Sequence, residues 1–342
     1  MFYYFEIFLI TLFLSAGLTF LVMKLAAKLN VVDRPDNERK IHGRVVPLLG
    51  GLAIFFSFFI ILFFLQAKLL SGNLTINHWL GFFAGGIFLM IGGFLDDKYN
   101  LKPSRQFIWP ILAIICVILG GVQIEKITNP FGGFLYLGWI SAALIAFWLL
   151  GMMYTTKLLD GLDGLVCGLT AIGAFIIFLF TMSPKYYQPD VGLAALALAA
   201  ACLGFLLFNW YPAKVFLGEG GSLFLGYCLG VLAVISGGKI AIALLVMGIP
   251  ILDVVWTILR RLLAGKNPFK SADRQHLHFR LLDAGLSPRK SVLFYYVISI
   301  IFGASALILQ SLGKVLALAV LGVIMVLAIV FFTYLDRKKK MV

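Results

Sequence analysis

Two aspartates stand three positions apart in the stretch KLLDGLDGL, residues 157–165, at the edge of a long apolar run. At this separation Asp160 and Asp163 are predicted to lie near one another on a helical turn. Carboxylates brought together in a partly desolvated place repel each other unless a cation or a donor is present. The stretch therefore predicts a charged site whose cation or donor comes from elsewhere in the chain.

Three further acids share this setting, a glycine-rich stretch that directly adjoins an apolar run. Asp96 and Asp97 occur in GFLDDKYNL, and Glu219 occurs in FLGEGGS. Adjacent carboxylate oxygens suit Mg²⁺ when it bridges a protein to phosphates. The glycine pair before Ser222 predicts backbone N–H groups at a helix start, which suit a phosphate, although such glycines also serve as turns and packing contacts. A solvated counter-charge explains any one acid, but the five together favour a metal–phosphate site.

The apolar runs between these motifs are long enough to cross a membrane. Of 342 residues 62% are hydrophobic, and the mean hydropathy is +1.03, far above the range of a soluble domain. Long runs that are apolar all round predict helices rather than a membrane barrel. The predicted fold class is an all-α integral membrane protein, a polytopic bundle of about eleven transmembrane helices. The predicted spans are residues 5–27, 46–66, 79–95, 105–124, 137–153, 164–182, 191–208, 222–236, 239–258, 291–311 and 313–335.

Lys and Arg are distributed unevenly between the two sets of loops. One set holds 22 of them, Lys24 lies inside the first span, and the other set holds only Lys68, Lys126, Lys185, Lys239 and Lys314. The basic side is predicted to be cytoplasmic, which places the N-terminus outside and the C-terminus in the cytoplasm. The net charge of +13 then reflects topology and contact with anionic membrane lipids, and no nucleic-acid partner is expected.

The five acids all fall on the basic side, together with two basic loops. The first loop contributes Arg39, Lys40, His42 and Arg44, and the longest loop, residues 260–290, contributes eight basic residues with His276 and His278. At i, i+2 these histidines are predicted to face different sides of a helix, so a two-histidine zinc site is not indicated. The long loop is either a lipid-facing segment or a lid that grips an anionic substrate. A cleft of this kind fits phosphoryl transfer between a nucleotide diphosphate and a lipid phosphate.

Five motifs resemble, in order and over nearly the whole chain, the polyprenyl-phosphate N-acetylhexosamine-1-phosphate transferases. They are RPDNERKIHGRVVPLLGG, GFLDDKYNL, LLDGLDGL, FNWYPAKVFLGEGGSLFLG and PFKSADRQHLHFRLL. DRQHLHFRLL looks more like the GlcNAc-1-phosphate branch than the phospho-MurNAc-pentapeptide branch, which usually has three histidines there. The resemblance implies that undecaprenyl phosphate attacks the β-phosphate of a UDP-N-acetylhexosamine, with UDP-GlcNAc as the expected donor and Mg²⁺ or Mn²⁺ as cofactor. The products are UMP and a lipid-linked sugar that starts glycan synthesis.

The resemblance also implies a role for each matching residue. Asp96 and Asp97 match an aspartate pair that activates the lipid phosphate or holds the metal, and Glu219 stands where the family has its metal-binding aspartate. The remaining matches bind substrate: Asp160 and Asp163 at the nucleotide, Asn209 and Phe216 at the nucleoside with Phe216 against uracil, Arg44 and Arg105 near the phosphates, and His276, His278 and Arg280 at the sugar and diphosphate.

The same resemblance implies the domain organisation and the cellular location of the protein. Residues 1–342 are expected to form one polytopic transferase domain in the bacterial inner membrane, with its active site on the cytoplasmic face. The site is expected in the loops near 28–45, 96–105, 154–164, 209–221 and 259–290. A homodimer is expected from the resemblance alone.

Three positions depart from the family pattern and keep other interpretations open. Glu219 replaces Asp, Lys157 replaces an Asn before LLDGLDG, and Phe279 replaces the second of two adjacent histidines. The alternatives are another UDP-HexNAc donor, UDP-MurNAc-pentapeptide, or a non-catalytic binder or transporter. Transporters usually show paired repeats, and the sequence has no convincing repeat. Asp253, an intramembrane acid, is a functional candidate that could equally pair with Arg260 or Arg261.

Overall fold

A computed structural model of the protein describes residues 2–35, 44–72, 74–129, 132–237, 239–265 and 275–339. These residues form fifteen α-helices and two small antiparallel sheets of two strands each. The helices are α1 (Phe2–Lys28), α2 (Gly50–Phe64), α3 (Gln66–Leu69), α4 (Ile76–Tyr99), α5 (Pro103–Gln106), α6 (Ile108–Leu119), α7 (Ile140–Leu159), α8 (Leu165–Thr181), α9 (Pro189–Asn209), α10 (Gly218–Ile235), α11 (Ile240–Val246), α12 (Gly248–Leu263), α13 (Leu277–Asp283), α14 (Pro288–Ile308) and α15 (Ser311–Lys339).

The two sheets lie in connections between helices. The strands are β1 (Val32–Asp33), β2 (Val46–Pro47), β3 (Lys126–Thr128) and β4 (Phe134–Tyr136). β1 pairs with β2, and Val32 stands opposite Pro47. This pairing ties the connection between α1 and α2 to one end of the bundle, because Phe216, just before α10, donates its N–H to the Pro47 carbonyl at 2.9 Å.

The predicted class, an all-α membrane protein, is confirmed by the length and composition of the helices. In the described part of the chain, α1, α4, α7, α9, α10, α14 and α15 are each long and apolar enough to cross a bilayer. α2, α8 and the stretch from α5 to α6 are shorter apolar segments, and α11 and α12 form one apolar pair bent by 79°. Every predicted span overlaps one of these segments. Eleven crossings and the orientation of the termini stay predictions.

The bundle is built around α9 and α10. The most apolar stretch of α10 is 89% buried and that of α9 is 78% buried, whereas the figure for α15 is 17%. α8 and α1 pack against α9, and α7 and α4 pack against α10. Large apolar side chains such as Phe147 and Ile308 remain exposed on the outside. This is expected of a protein whose outer surface meets lipid, because lipid gives apolar side chains no reason to turn inward.

Glycines bring α10 unusually close to α2 and α4. A Cβ built on Gly93 of α4 would lie 2.1 Å from the Cα of Gly220, and one built on Gly51 of α2 would lie 2.2 Å from the Cα of Gly221. Backbone therefore packs directly on backbone, as small residues permit at membrane helix interfaces. The glycine pair in FLGEGGS therefore serves as a packing contact. Helix α10 already begins at Gly218, before the pair, whereas the sequence predicted a helix start after it.

Candidate active site

A cavity of about 830 Å³ opens at the end of the bundle where α4 and α7 end and α10 begins. This volume lies within the usual range for small-molecule sites. The cavity brings together eight of the residues predicted from sequence: Arg44, Asp96, Asp97, Asp160, Asp163, Asn209, Phe216 and Glu219. They come from five separate segments of the chain. The other four predicted residues, Arg105, His276, His278 and Arg280, are not among the residues that line it.

The two aspartates at the end of α4 have different partners. Oδ1 of Asp96 accepts hydrogen bonds from the backbone N–H of Leu101 at 2.8 Å and from Nε2 of Gln106 at 3.1 Å. It thereby fixes the turn between α4 and α5. The carboxylate of Asp97 instead accepts the backbone N–H of Glu219, at 3.1 and 3.2 Å from its two oxygens. Asp97 therefore links α4 to the first turn of α10, where the helix dipole favours a negative charge.

Two of the departures from the family pattern meet each other in the cavity. The ammonium group of Lys157 lies 2.8 Å from Oε2 of Glu219 and donates to Oε1 of Gln106 at 3.1 Å. The additional methylene of Glu219 thus carries its carboxylate to a lysine that stands in place of asparagine. Gln106, which no sequence motif indicated, completes a chain of contacts from Asp96 to Glu219.

This contact predicts that the two departures compensate for each other. In Lys157→Asn the carboxylate of Glu219 keeps its charge without a partner. We expect the UMP release that the family resemblance implies to fall about tenfold, since contacting residues couple by roughly 0.5–3 kcal/mol. The double variant Lys157→Asn/Glu219→Asp restores the family pattern and should recover most of the activity. Rates for the wild type, both single variants and the double variant measure the coupling. Purely additive losses would show that the two positions are independent.

The loop between α7 and α8 corrects one prediction. Residues 160–164 form a turn rather than a helical turn, because α7 ends at Leu159 and Gly164 adopts a left-handed conformation with φ of 79°. Oδ2 of Asp163 accepts the backbone N–H of Ala213 at 2.8 Å. Asp160 is open to the cavity. Asp163 therefore binds the neighbouring loop, whereas Asp160 faces the cavity.

The environment of Asp160 disfavours its charged form. Protein atoms around the cavity limit the hydration of this side chain, and the carboxylates of Glu219, Asp163 and Asp97 add repulsion. Together these effects raise the pKa of Asp160 to about 8. A cation or donor brought into the cavity would favour the ionised form, which is the kind of partner that the stretch KLLDGLDGL predicts.

Asn209 and Phe216 both line the cavity but are held differently. Asn209 is buried, its Oδ1 accepts the N–H of Gly164 at 3.0 Å, and its Nδ2 donates to the carbonyl of Val215 at 2.8 Å. Both ends of the amide therefore join the 160–164 turn to the segment before α10. Phe216 is partly exposed in the cavity. The nucleoside contacts of these two residues stay predictions.

The histidine pair corrects a second prediction. The rings of His276 and His278 stack with centroids 5.6 Å apart and planes 8° apart, instead of facing different sides of a helix. The reason is that His276 precedes α13 in an extended conformation, so helical spacing does not apply to it. Nδ1 of His276 lies 2.8 Å from Oδ2 of Asp253, whose Oδ1 accepts the N–H of Leu277 at 3.0 Å.

Asp253 is thus a residue whose role the sequence left open. Its position inside a predicted span was the signal, and its carboxylate contacts Nδ1 of His276 and the N–H of Leu277. It fixes the start of α13. Behind it, His278 is fully buried against the 160–164 turn: a Cβ on Gly161 would lie 2.6 Å from Nε2 of His278.

Two other residues that the sequence predicted to bind substrate lie away from the cavity. Nε of Arg280 donates to the carbonyl of Gln275 at 3.1 Å, and Arg105 is exposed on α5. Several basic loop residues predicted to surround the site lie outside the described residues, namely Arg39, Lys40, His42, Lys266, Lys270 and Arg274.

Burial of His278 predicts a pH-dependent stability. Burial, followed by the neighbouring His276, lowers the pKa of His278 from 6.5 to about 3. Below pH 6.5 the unfolded chain therefore takes up a proton that the folded chain excludes, and folding stability falls, by about 2 kcal/mol at pH 5. In His278→Leu, which cannot titrate, we expect the unfolding temperature relative to the wild type to rise as the pH falls from 7.5 to 5. Parallel curves for the two proteins would contradict this placement of the ring.

The fold and the cavity define a polytopic helical membrane protein with a carboxylate-lined site. The model of glycosyl transferase family 4 matches residues 79–237. A probable undecaprenyl-phosphate N-acetylglucosaminyl 1-phosphate transferase of Bacillus subtilis is 34% identical over 93% of this chain and 88% of the relative. A decaprenyl-phosphate N-acetylglucosaminephosphotransferase of Mycolicibacterium smegmatis is 32% identical over 90% of this chain and 82% of the relative. An undecaprenyl-phosphate alpha-N-acetylglucosaminyl 1-phosphate transferase of Escherichia coli is 29% identical, with coverages of 83% and 78%.

These similarities extend over most of both chains in each comparison. The chain therefore belongs to glycosyl transferase family 4, among the polyprenyl-phosphate N-acetylhexosamine-1-phosphate transferases. The resemblance carried by the five sequence motifs is confirmed.

Proposed function

We propose that this protein transfers GlcNAc-1-phosphate from UDP-GlcNAc to undecaprenyl phosphate and releases UMP. The names of the relatives support a polyprenyl phosphate as acceptor and N-acetylglucosamine phosphate as the group transferred. The observation that carries the proposal is the contact of Asp97 with the start of α10 inside a cavity lined by six acids.

The reaction is an in-line displacement at phosphorus. An oxygen of the lipid phosphate forms a bond to the β-phosphorus of the UDP-sugar, and the bond from that phosphorus to the bridging oxygen breaks, so that UMP leaves with this oxygen. Asp97 either accepts the proton of the lipid phosphate or orients the lipid phosphate. Arg44 offsets the negative charge of the approaching phosphates, and Phe216 supplies an apolar ring for the uracil base. Positioning and charge stabilisation then account for most of the catalysis.

A divalent cation fits the donor set, although not as a site made by protein alone. Among the described residues, no group of three or more His, Cys, Asp or Glu side chains is placed to hold a metal ion. Mg²⁺ commonly binds through one or two carboxylates, with water and substrate phosphates completing its shell. Asp97 and Glu219 are the carboxylates that would hold Mg²⁺ or Mn²⁺, and the cation would supply positive charge to offset the negative charge of the diphosphate. Lys157 neutralises Glu219 in the contact described above.

We further propose that the cavity faces the cytoplasm of a bacterium whose plasma membrane holds the protein. The excess of Lys and Arg in the loops on the cavity side supports this orientation. It also gives access to UDP-sugars, which are cytoplasmic. A homodimer is proposed on the family resemblance alone.

The test is UMP release by the purified protein from UDP-GlcNAc and undecaprenyl phosphate, with Mg²⁺, with Mn²⁺ and with EDTA. We expect metal-dependent UMP in a one-to-one ratio with a lipid-linked GlcNAc product. UDP-GalNAc and UDP-MurNAc-pentapeptide serve as competing donors, and decaprenyl phosphate as a second acceptor. UMP release with only one of the other donors would show that the protein transfers a different sugar phosphate. Absence of UMP with every donor, in protein that still binds UDP-sugars, would refute the transferase proposal.

A further inference from the structure

Three lysines converge at the end of the bundle that lies away from the cavity. Lys185 lies in a short 3-10 turn between α8 and α9, Lys239 precedes α11, and Lys314 lies near the start of α15. All three reach one pair of stacked rings, Phe180 and Tyr186, whose centroids are 4.4 Å apart. Three distant segments of the chain therefore place ammonium groups around a single aromatic pair.

The distances show that the three ammonium groups share this pair. Nζ of Lys239 lies 4.6 Å from the centroid of Tyr186 and 5.4 Å from that of Phe180. Nζ of Lys314 lies 4.7 Å from Phe180, and Nζ of Lys185 lies 5.4 Å from Tyr186. Contact with an aromatic face stabilises a cation without neutralising it. The three positive charges therefore remain, and their N–H groups can still donate to oxygen.

These charges have no acidic partner in the described part of the chain. No carboxylate there lies within ion-pair distance of the three lysines. The nearby acid of α9, Asp190, is buried and directed at Gly72. Burial and the charge of Lys314 lower the pKa of Lys239, which agrees with crowded and uncompensated cations. An arrangement that repels itself is stabilised by a ligand of opposite charge.

The position is also unusual for lysine. The predicted topology leaves only five Lys and no Arg on this side, and three of the five meet here. α8 begins beside the 160–164 turn and ends at the cluster after 17 residues, so the two sites are roughly 25 Å apart. This distance excludes the three lysines from contact with a substrate in the cavity.

We infer that Lys185, Lys239 and Lys314 form a second anion site, which binds a phosphate group at the membrane–water interface opposite the cavity. Each ammonium offers three donors, and a phosphate offers several acceptor oxygens. The phosphate can belong to the head group of an anionic phospholipid or be free inorganic phosphate. The site is independent of the proposed transferase reaction.

The experiment measures the unfolding temperature of the purified protein in a neutral detergent during ligand titration. The ligands are dihexanoyl phosphatidylglycerol, dihexanoyl phosphatidylcholine and inorganic phosphate. We expect phosphatidylglycerol to raise the unfolding temperature of the wild type. In Lys185→Gln/Lys239→Gln/Lys314→Gln the half-maximal concentration should rise at least about tenfold, because each lysine near a membrane surface contributes to anion binding. The corresponding triple arginine variant should bind like the wild type.

Matched controls separate the cluster from general attraction to basic groups. Lys68 and Lys126, on the same predicted side, each contact a single ring, at 4.0 Å from Tyr3 and 4.7 Å from Phe134. Lys68→Gln/Lys126→Gln should therefore leave the titration unchanged. If the triple glutamine variant fails to fold, the exposed Lys185 provides Lys185→Glu, for which we expect a severalfold loss.

The outcomes distinguish the source of the phosphate. A response to phosphatidylglycerol alone supports a lipid head group, and an equal response to inorganic phosphate supports a free ion. Both support the site. Titrations that coincide for the wild type and the folded triple glutamine variant would overturn it, as would an equal loss in the Lys68/Lys126 control.

Discussion

Asp97→Asn is expected to reduce UMP release by about 10³-fold while UDP-GlcNAc still binds. Asparagine keeps the size of the side chain, and its Oδ1 can still accept the backbone N–H of Glu219, now bonded to Asp97 at 3.1 and 3.2 Å. The link between α4 and α10 is therefore retained, whereas the negative charge and the basicity are lost. Removal of a general base typically costs 10²–10⁴-fold.

Two assays on the same preparation test this prediction. UMP release gives the rate, and calorimetric titration with UDP-GlcNAc gives the affinity, which should stay within about threefold of the wild type if the base function alone is lost. Glu125→Gln, an exposed acid next to β3, is the control and should change neither quantity. Loss of rate and of binding together would show that Asp97 acts through metal holding or folding alone and not also as the base.

Gly93→Ala is expected to disrupt both stability and activity. The added methyl group would overlap the Cα and the backbone nitrogen of Gly220, each 2.1 Å from the ideal Cβ position. Because backbone atoms cannot rotate away as a side chain can, α4 and α10 must separate. Overpacking of this kind costs typically 1–3 kcal/mol and occasionally more. The same separation would move Asp97 away from Glu219, so we expect UMP release to fall at least about tenfold.

The matched control is Gly151→Ala in α7, where an added Cβ meets nothing within 4 Å. Alanine favours a helix over glycine by about 1 kcal/mol, so this variant should be as stable as the wild type or more so. Unfolding temperatures should then differ between the two variants by about 5 °C or more. Equal temperatures and equal rates for Gly93→Ala and Gly151→Ala would show that the contact between α4 and α10 is not tight.

The sequence alone determined the membrane class, the approximate helices and the set of acids that share a site. Apolar runs of a length set by the bilayer fix the spans, and their alternation brings the ends that carry Asp96, Asp160 and Glu219 to one side. The order of the motifs determined the family. These features depend on local composition and spacing, which can be seen without knowledge of any contact between distant residues.

Tertiary structure alone decided what each acid contacts. Asp96 binds the turn after α4, whereas Asp97 contacts α10. The two aspartates are adjacent in the sequence, so their positions alone do not distinguish these roles. Nor did the sequence indicate that Lys157 meets Glu219 or that Asp253 holds His276, because these partners lie more than 20 residues apart. Such pairs are set by the close glycine packing of α10 and by turns whose geometry depends on the whole fold. Side-chain partners over long separations follow from packing, and packing is a property of all the helices together.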